Sequence, residues 1–173
     1  MSLILRELEL PDEAEALLAH EEFPDWEFLL RYKAGMNWGE YIQRCREIRA
    51  GINLPKGRVP ATFFIAEVEG QLIGRASIRH ELNTYLLNYG GHIGYGVRPA
   101  ARGRGYATEI LQQSLKYIRE LGVAEVLVTC LDENLASARV IEKCGGVLEN
   151  LVEIEGKPLR RYWITKSMPG HVH

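Results

Sequence analysis

Between Gly94 and Leu115 the chain reads GYGVRPAARGRGYATEILQQSL, with glycines and arginines set between a strand-like run and a helix-like run. A strand ending at Val97, a turn through RPAARGRG and a helix starting near Arg104 would aim free backbone N–H groups at one point. The first four amides of a helix lack partners inside it, and its aligned peptide dipoles add partial positive charge, so such an end attracts anions. Gly103 and Gly105 let a ligand approach the backbone closely, and Arg98, Arg102 and Arg104 add positive charge at the same end. Two common phosphate loops do not fit. The G-x-x-x-x-G-K-[ST] pattern needs a lysine that is missing here. A dinucleotide G-x-G-x-x-G needs an acidic residue ending a second parallel strand, whereas Glu125 precedes VLVTCL.

The elements that must position this loop are legible as changes of period. SLILRELEL alternates apolar and polar residues as a first strand, and Pro11-Asp12 opens a helix through Leu18. From about residue 22 to 60 the pattern predicts a helical excursion within the domain, with helix-like patches at Trp26 to Tyr32 and Trp38 to Arg49. ATFFIAEV, a Glu-Gly turn, QLIGRASIRHEL and GGHIGYGV then predict an antiparallel meander. From Arg104 to Leu121 the period is helical, with Ala107, Ile110, Leu111, Ser114, Leu115, Ile118 and Leu121 on one face. AEVLVTCL is apolar almost throughout, which predicts a buried parallel strand. Asn134 caps a short helix through Lys143 that Gly145-Gly146 stop, and VLENLVEIEG with LRRYWITKS reads as a closing hairpin.

Length and composition limit the partners. At 173 residues the chain is expected to be one domain spanning 1–173. A formal net charge of -2 gives no global drive toward nucleic acid or anionic membrane. Charged residues interrupt the first apolar run and no later run approaches a membrane span, so a cytoplasmic location is expected. Cys45, Cys130 and Cys144 are odd in number and lack C-x-x-C spacing, suggesting packed thiols and neither a disulfide framework nor a zinc cluster. The terminal PGHVH, with His171 and His173, is read as a frayed end rather than a metal site, so no metal is expected.

The chain resembles the GCN5-related N-acetyltransferases, the GNAT superfamily. That family's [Q/R]-x-x-G-x-[G/A] signature stands here as Arg102, Gly105 and Ala107 in RGRGYA, preceded by IGYGVRP. DENLASARVIEKCGG is similar to the family's N-x-x-[S/A] helix ending in E-K-x-G, through Asn134, Ser137, Glu142, Lys143 and Gly145. The resemblance covers about Ala61 to Lys166. It implies an α/β (α+β) fold with a mixed, mostly antiparallel central sheet of about seven strands flanked by helices. It also implies acetyl-CoA as co-substrate. On this resemblance the backbone of Tyr95, Gly96 and Val97 pairs with the pantetheine arm as an added strand. The N–H groups of Gly103, Arg104, Gly105, Tyr106, Ala107 and Thr108 hold the pyrophosphate, with Arg102 in the signature, and Asn134 and Ser137 belong to the pantetheine or thioester region. Read from its residue type alone, Asn134 is equally a plain helix cap.

The implied reaction is attack of a primary amine of a small molecule or peptide on the thioester with both substrates bound. A lysine-like amine has a pKa of ~10.4, so presenting it neutral at pH 7 costs about 4–5 kcal/mol, and a base is useful. His92, Tyr95, His80, Glu81 and Glu67 are the candidates in the meander, with Tyr95 and His92 taken as catalytic. Strand parity groups Gly91, Ile93 and Tyr95 on one face and sends His92 to the other, unless a bulge changes the count. The position at which family members carry a proton-donating tyrosine is Ile141, leaving water, Tyr95 or Tyr162 to replace it. Trp26, Phe28, Tyr32, Trp38 and Tyr41 form either an acceptor wall, with Asp25, Glu27 and Glu40 favouring a cationic amine, or ordinary core packing. The alternative to an enzyme is a non-catalytic acyl-CoA-binding sensor or regulatory module. An exposed closing hairpin at LRRYWITKS would suit a homodimer.

Overall fold

The computed structural model describes residues 2–165, so His171 and His173 lie outside the described residues. Strand β1 (Leu3–Arg6) pairs antiparallel with β2 (Ala61–Val68), β2 with β3 (Gln71–Arg79), and β3 with β4 (Ile93–Val97), giving a sheet of order β1-β2-β3-β4. The Glu69-Gly70 turn joining β2 to β3 has φ of 50° and 78°, positive at both residues as a tight hairpin of this hand demands. After β4 come α3 (Tyr106–Glu120), β5 (Glu125–Leu131), α4 (Leu135–Lys143), β6 (Val147–Ile154) and β7 (Lys157–Thr165). These last three strands form a second antiparallel sheet of order β5-β7-β6. The seven expected strands are present, divided between two sheets.

That division corrects one expectation. AEVLVTCL predicts a parallel partner, yet β5 pairs only with β7 among the described residues and meets β4 at its root. Its continuous apolar character has another cause. Val126, Val128 and Cys130 pack in a core with Leu111, Leu115 and Ile118 of α3, Ala138 and Ile141 of α4, and Tyr162 and Ile164 of β7, while Leu127 is also fully buried. The face of α3 is as the period predicts through Ile118, but Leu121 lies past the helix and is 46% exposed. Each fully buried leucine or isoleucine on that face contributes roughly 1.5–3 kcal/mol.

The excursion at 22–60 is only partly helical. Helix α1 (Glu13–Glu21) precedes it, and within it only α2 (Trp38–Ala50) is a helix, with Asn37 Oδ1 accepting the Glu40 N–H and Gly51 ending it at φ 74°. Trp26 to Tyr32 forms turns. What looked helical there is a buried turn, because Phe28 and Leu29 are fully enclosed by a core that includes Leu8, Ala16, Trp38, Tyr41 and Phe63.

Candidate active site

The loop before α3 does what its glycines suggest. Gly103 and Gly105 sit at φ 80° and 81°, and a Cβ built on either would meet nothing within 4 Å, so the backbone faces open space. Among the described residues, the amides of Gly103, Arg104, Gly105, Tyr106, Ala107 and Thr108 donate to no acceptor; the first bond of the helix runs from Glu109 N–H to Gly105 O. Six consecutive free donors at a helix start form an anion cradle. The three arginines divide. Arg102 borders the cradle, with its Nε donating to Val97 O and its guanidinium 5.8 Å from the Phe23 ring. Arg98 is held by both carboxylate oxygens of Glu22 at 2.9 and 3.0 Å and by Leu72 O, so its charge is already paired, and Arg104 lines an adjoining groove.

From the cradle a cleft of about 600 Å³ runs between β4 and α4. It exists because the two sheets touch at one point and then diverge. At that point the His92 N–H donates to Leu127 O at 2.7 Å and the Leu127 N–H donates to His92 Nδ1 at 3.0 Å. Gly91 precedes them at φ 67°, where a Cβ would lie 2.7 Å from Leu127 O, so no other residue permits this approach. Beyond it β4 is an edge strand. Its register with β3 and the bonds at His92 and Arg98 turn the polar groups of Gly94 and Gly96 toward β3, leaving those of Tyr95 and Val97 on the outer edge, where Val97 O accepts from Arg102 Nε. Gly96 serves differently from its neighbours: a Cβ there would come within 2.6 Å of the Trp26 ring, which covers the strand.

Helix α4 closes the far wall. Asn134 Oδ1 accepts the Ser137 N–H at 3.1 Å, so it caps the helix and also lines the cleft, reconciling its two readings. Tyr95 reaches across the cleft to Ser137, its hydroxyl 2.9 Å from Oγ. Burial pushes the Tyr95 phenol up to about 12 despite that hydrogen bond, so it is a donor and not a base at neutral pH.

The remaining candidates lie elsewhere. His92 is 4% exposed and borders no part of the cleft; burial, and secondarily Arg79, push its imidazole down to about 4, and its Nδ1 lone pair is occupied. His80 is bound through Nε2 to Thr62 Oγ1, Glu67 pairs with Arg6, and neither lines the cleft. Ile141 is fully buried, and Tyr162 is tied to Glu142 and Arg160 away from the cleft. Of the aromatics in the excursion, Phe28, Trp38 and Tyr41 are core, while Trp26 reaches the site, joined there by Phe23, which the sequence did not single out. Asp25, Glu27 and Glu40 are exposed and border neither of the two larger cavities. The exposed strand of the closing hairpin is β6, not LRRYWITKS: Leu159, Arg161, Tyr162 and Ile164 of β7 are buried, while Val147, Leu148 and Leu151 are exposed. Among the described residues no helix is long and apolar enough to cross a membrane, and no group of three His, Cys, Asp or Glu is placed to hold a metal.

Comparison with known proteins agrees with this geometry. A family model described as "Acetyltransferase (GNAT) domain" matches residues 2–147. The uncharacterized N-acetyltransferase YnaD of Bacillus subtilis is 30% identical over 138 residues, covering 75% of this chain and 77% of that protein. Mycobacterium smegmatis RimJ, solved in complex with CoA-disulfide, superposes with a TM-score of 0.68 at 22% identity over 94% of this chain and 81% of its own. The yncA protein of Salmonella typhimurium, solved with acetyl-CoA, gives 0.61 at 13% identity over 99% of this chain and 100% of its own. With a cradle of free amides, an open strand edge and a matching domain over most of its length, the chain belongs to the GNAT family and is an acetyl-CoA-dependent N-acetyltransferase.

Proposed function

We propose that the protein transfers the acetyl group of acetyl-CoA to a primary amine by direct attack, with both substrates bound together. The observation that carries this reading is the run of six unpaired amides from Gly103 to Thr108 opening onto the free edge of β4. The amides and the α3 dipole hold the pyrophosphate. The Tyr95 and Val97 backbone groups pair with the pantetheine amides as an added strand, and Trp26 covers Gly96 to close that edge from water.

Among the described residues no histidine or carboxylate lines the cleft, and in this mechanism the amine gives its first proton to solvent before attack. The nitrogen–carbon bond then forms, the carbon–sulfur bond breaks, and the nitrogen's second proton leaves as the sulfur becomes a thiol. Tyr95 stays protonated and, held by Ser137, donates a hydrogen bond to the departing sulfur. With a phenol near 12 and a thiol near 8.5, outright proton transfer from Tyr95 is uphill, so its contribution is that of a hydrogen-bond donor. In this reading His92 is the clasp between sheets and has no part in the chemistry.

Calorimetric titration with acetyl-CoA, followed by thiol release with a panel of amines, tests the assignment. Binding with sustained thiol release is expected. Binding without release from any amine would replace the enzyme with a CoA-binding module, and absence of binding would overturn the placement of the cradle.

A further inference from the structure

A second cavity, of about 400 Å³, lies beside the cleft and gathers guanidinium groups that have no counter-ion among the described residues. Arg31, Arg58 and Arg79 line it together with Ser77, Asn83 and Tyr85, and among the described residues no carboxylate lines it. Among the described residues none of the three arginines makes a salt bridge; Arg79 has a single long contact, 3.4 Å to Gly90 O. Elsewhere the chain pairs its arginines readily, as at Arg6, Arg98 and Arg160. Arg75, 2% exposed, stands next along the same face of β3; among the described residues it is hydrogen-bonded only to the carbonyls of Gly94 and Glu27, and its Nε has no partner. Arg75 is buried, Arg31 and Arg79 are part-buried and Arg58 is exposed; gathering unpaired like charges in this way is costly, and a fold tolerates it where a ligand supplies the opposite charge.

The arrangement leads back to the cleft. Arg75, Ser77 and Arg79 share one face of β3, and Gly94 and Gly96, opposite Ser77 and Arg75, share it from β4. A Cβ on Gly94 would lie 3.5 Å from Arg79 Nη1 and 3.7 Å from Arg75 Nη1, and Trp26 stacks on the Arg75 guanidinium at 3.8 Å while lining the cleft. Gly94 and Gly96 are about 7 Å apart along the strand. Arg31 itself is held at φ 62°, an uncommon conformation for a side chain of this size and one that recurs at ligand sites.

We propose that this cavity receives an anionic group, carboxylate or phosphate, of the acceptor amine, clamped by Arg31, Arg58 and Arg79 while the amine extends past Gly94 toward the thioester. The inference rests on the acetyltransferase reading and names its acceptor class: a small, anionic primary amine, and not a polyamine. The guanidinium fork suits both anions, and the same positive field lowers the pKa of a nearby ammonium, favouring the neutral nucleophile the reaction needs.

The test uses the full-length protein saturated with CoA, so that the pyrophosphate cradle is filled. Inorganic phosphate is expected to raise its Tm, and Arg79→Gln to remove that rise. A rise that persists in Arg79→Gln, or no rise in the unsubstituted protein, would overturn the proposal. Thiol release is then compared between amino acids and their carboxamides, between aminoalkyl phosphates and the parent amino alcohols, and with spermidine. The acids should exceed their neutral partners at least tenfold in kcat/KM, and the stronger pair tells carboxylate from phosphate. Arg31→Gln should raise KM for the anionic amine about tenfold or more with the KM of acetyl-CoA unchanged. Equal turnover of neutral amines or spermidine would sink the proposal while leaving the transferase intact. Absence of release from every amine would instead strike at the transferase reading, with the phosphate shift still judging the cavity.

Discussion

Replacing Gly105 by glutamate, with glutamine as its uncharged counterpart, examines the cradle directly. A Cβ at Gly105 meets nothing within 4 Å, so either side chain leaves the backbone into open space, and both incur the same strain from the φ of 81°, about 1–2 kcal/mol. The difference between the two variants is therefore the charge alone. A carboxylate about 5 Å from one pyrophosphate charge is repelled by roughly 1–3 kcal/mol, the range between water and a partly screened protein surface. Acetyl-CoA should bind Gly105→Glu some 5- to 200-fold more weakly than Gly105→Gln by calorimetry, with the glutamate apoprotein at least as stable as the glutamine one because the α3 dipole favours a carboxylate at that end. In 1 M salt, where the screening length is about 3 Å, most of that gap should close. If glutamine and glutamate weaken binding equally, the loss is steric, and the pyrophosphate does not lie at the α3 N-terminus.

Tyr95→Phe removes the donor that faces Ser137 and should lower kcat about 10- to 100-fold with little change in acetyl-CoA affinity, measured by initial rates and calorimetry. Because the phenol titrates only near 12, the unsubstituted enzyme should show no Tyr95 limb in its kcat profile between pH 6 and 10, and a limb assigned to it there would refute the donor role. Gly96→Ala drives a methyl into Trp26 and should raise the KM of acetyl-CoA, with Trp26→Ala restoring it in the double variant; a failure to restore would show that Trp26 does not set the clearance. His92 titrates near 6.5 unfolded and about 4 folded, so the unfolded chain takes up its proton first and the stabilisation, full above pH 6.5, is lost as pH falls toward 4. Denaturant titration should show up to roughly 3 kcal/mol of that dependence, absent in His92→Asn, while kcat at pH 7.5 stays within a few-fold. A collapse of kcat in a folded His92→Asn would return His92 to the chemistry.

The sequence disclosed what depends on local backbone rules. Gly103, Gly105 and the α3 period mark the cradle, and Asn134 with Gly145-Gly146 bounds α4, because turns and caps are written within a few residues. It was silent where the outcome depends on distant pairing. Nothing local in AEVLVTCL tells a parallel neighbour from burial between a helix and an antiparallel strand, and β7 lies some thirty residues on. The apolar residues near Trp26 carry no period because an irregular turn can bury Phe28 and Leu29 side by side while its other residues stay exposed. Arginines at 31, 58, 75 and 79 are scattered over nearly fifty positions; Arg75 and Arg79 share a face of β3, but only the folding of the loops that carry Arg31 and Arg58 brings those two to the same cavity.

The free edge of β4 has a consequence beyond catalysis. An unpaired strand edge is a template for any extended chain, including a strand of a neighbouring molecule, and such contacts seed aggregation. If the pantetheine arm lies along this edge, occupancy by the co-substrate also protects the protein in solution. Colloidal stability would then follow the CoA concentration, and purification that strips bound nucleotide would yield a protein more prone to self-association than the one that left the cell.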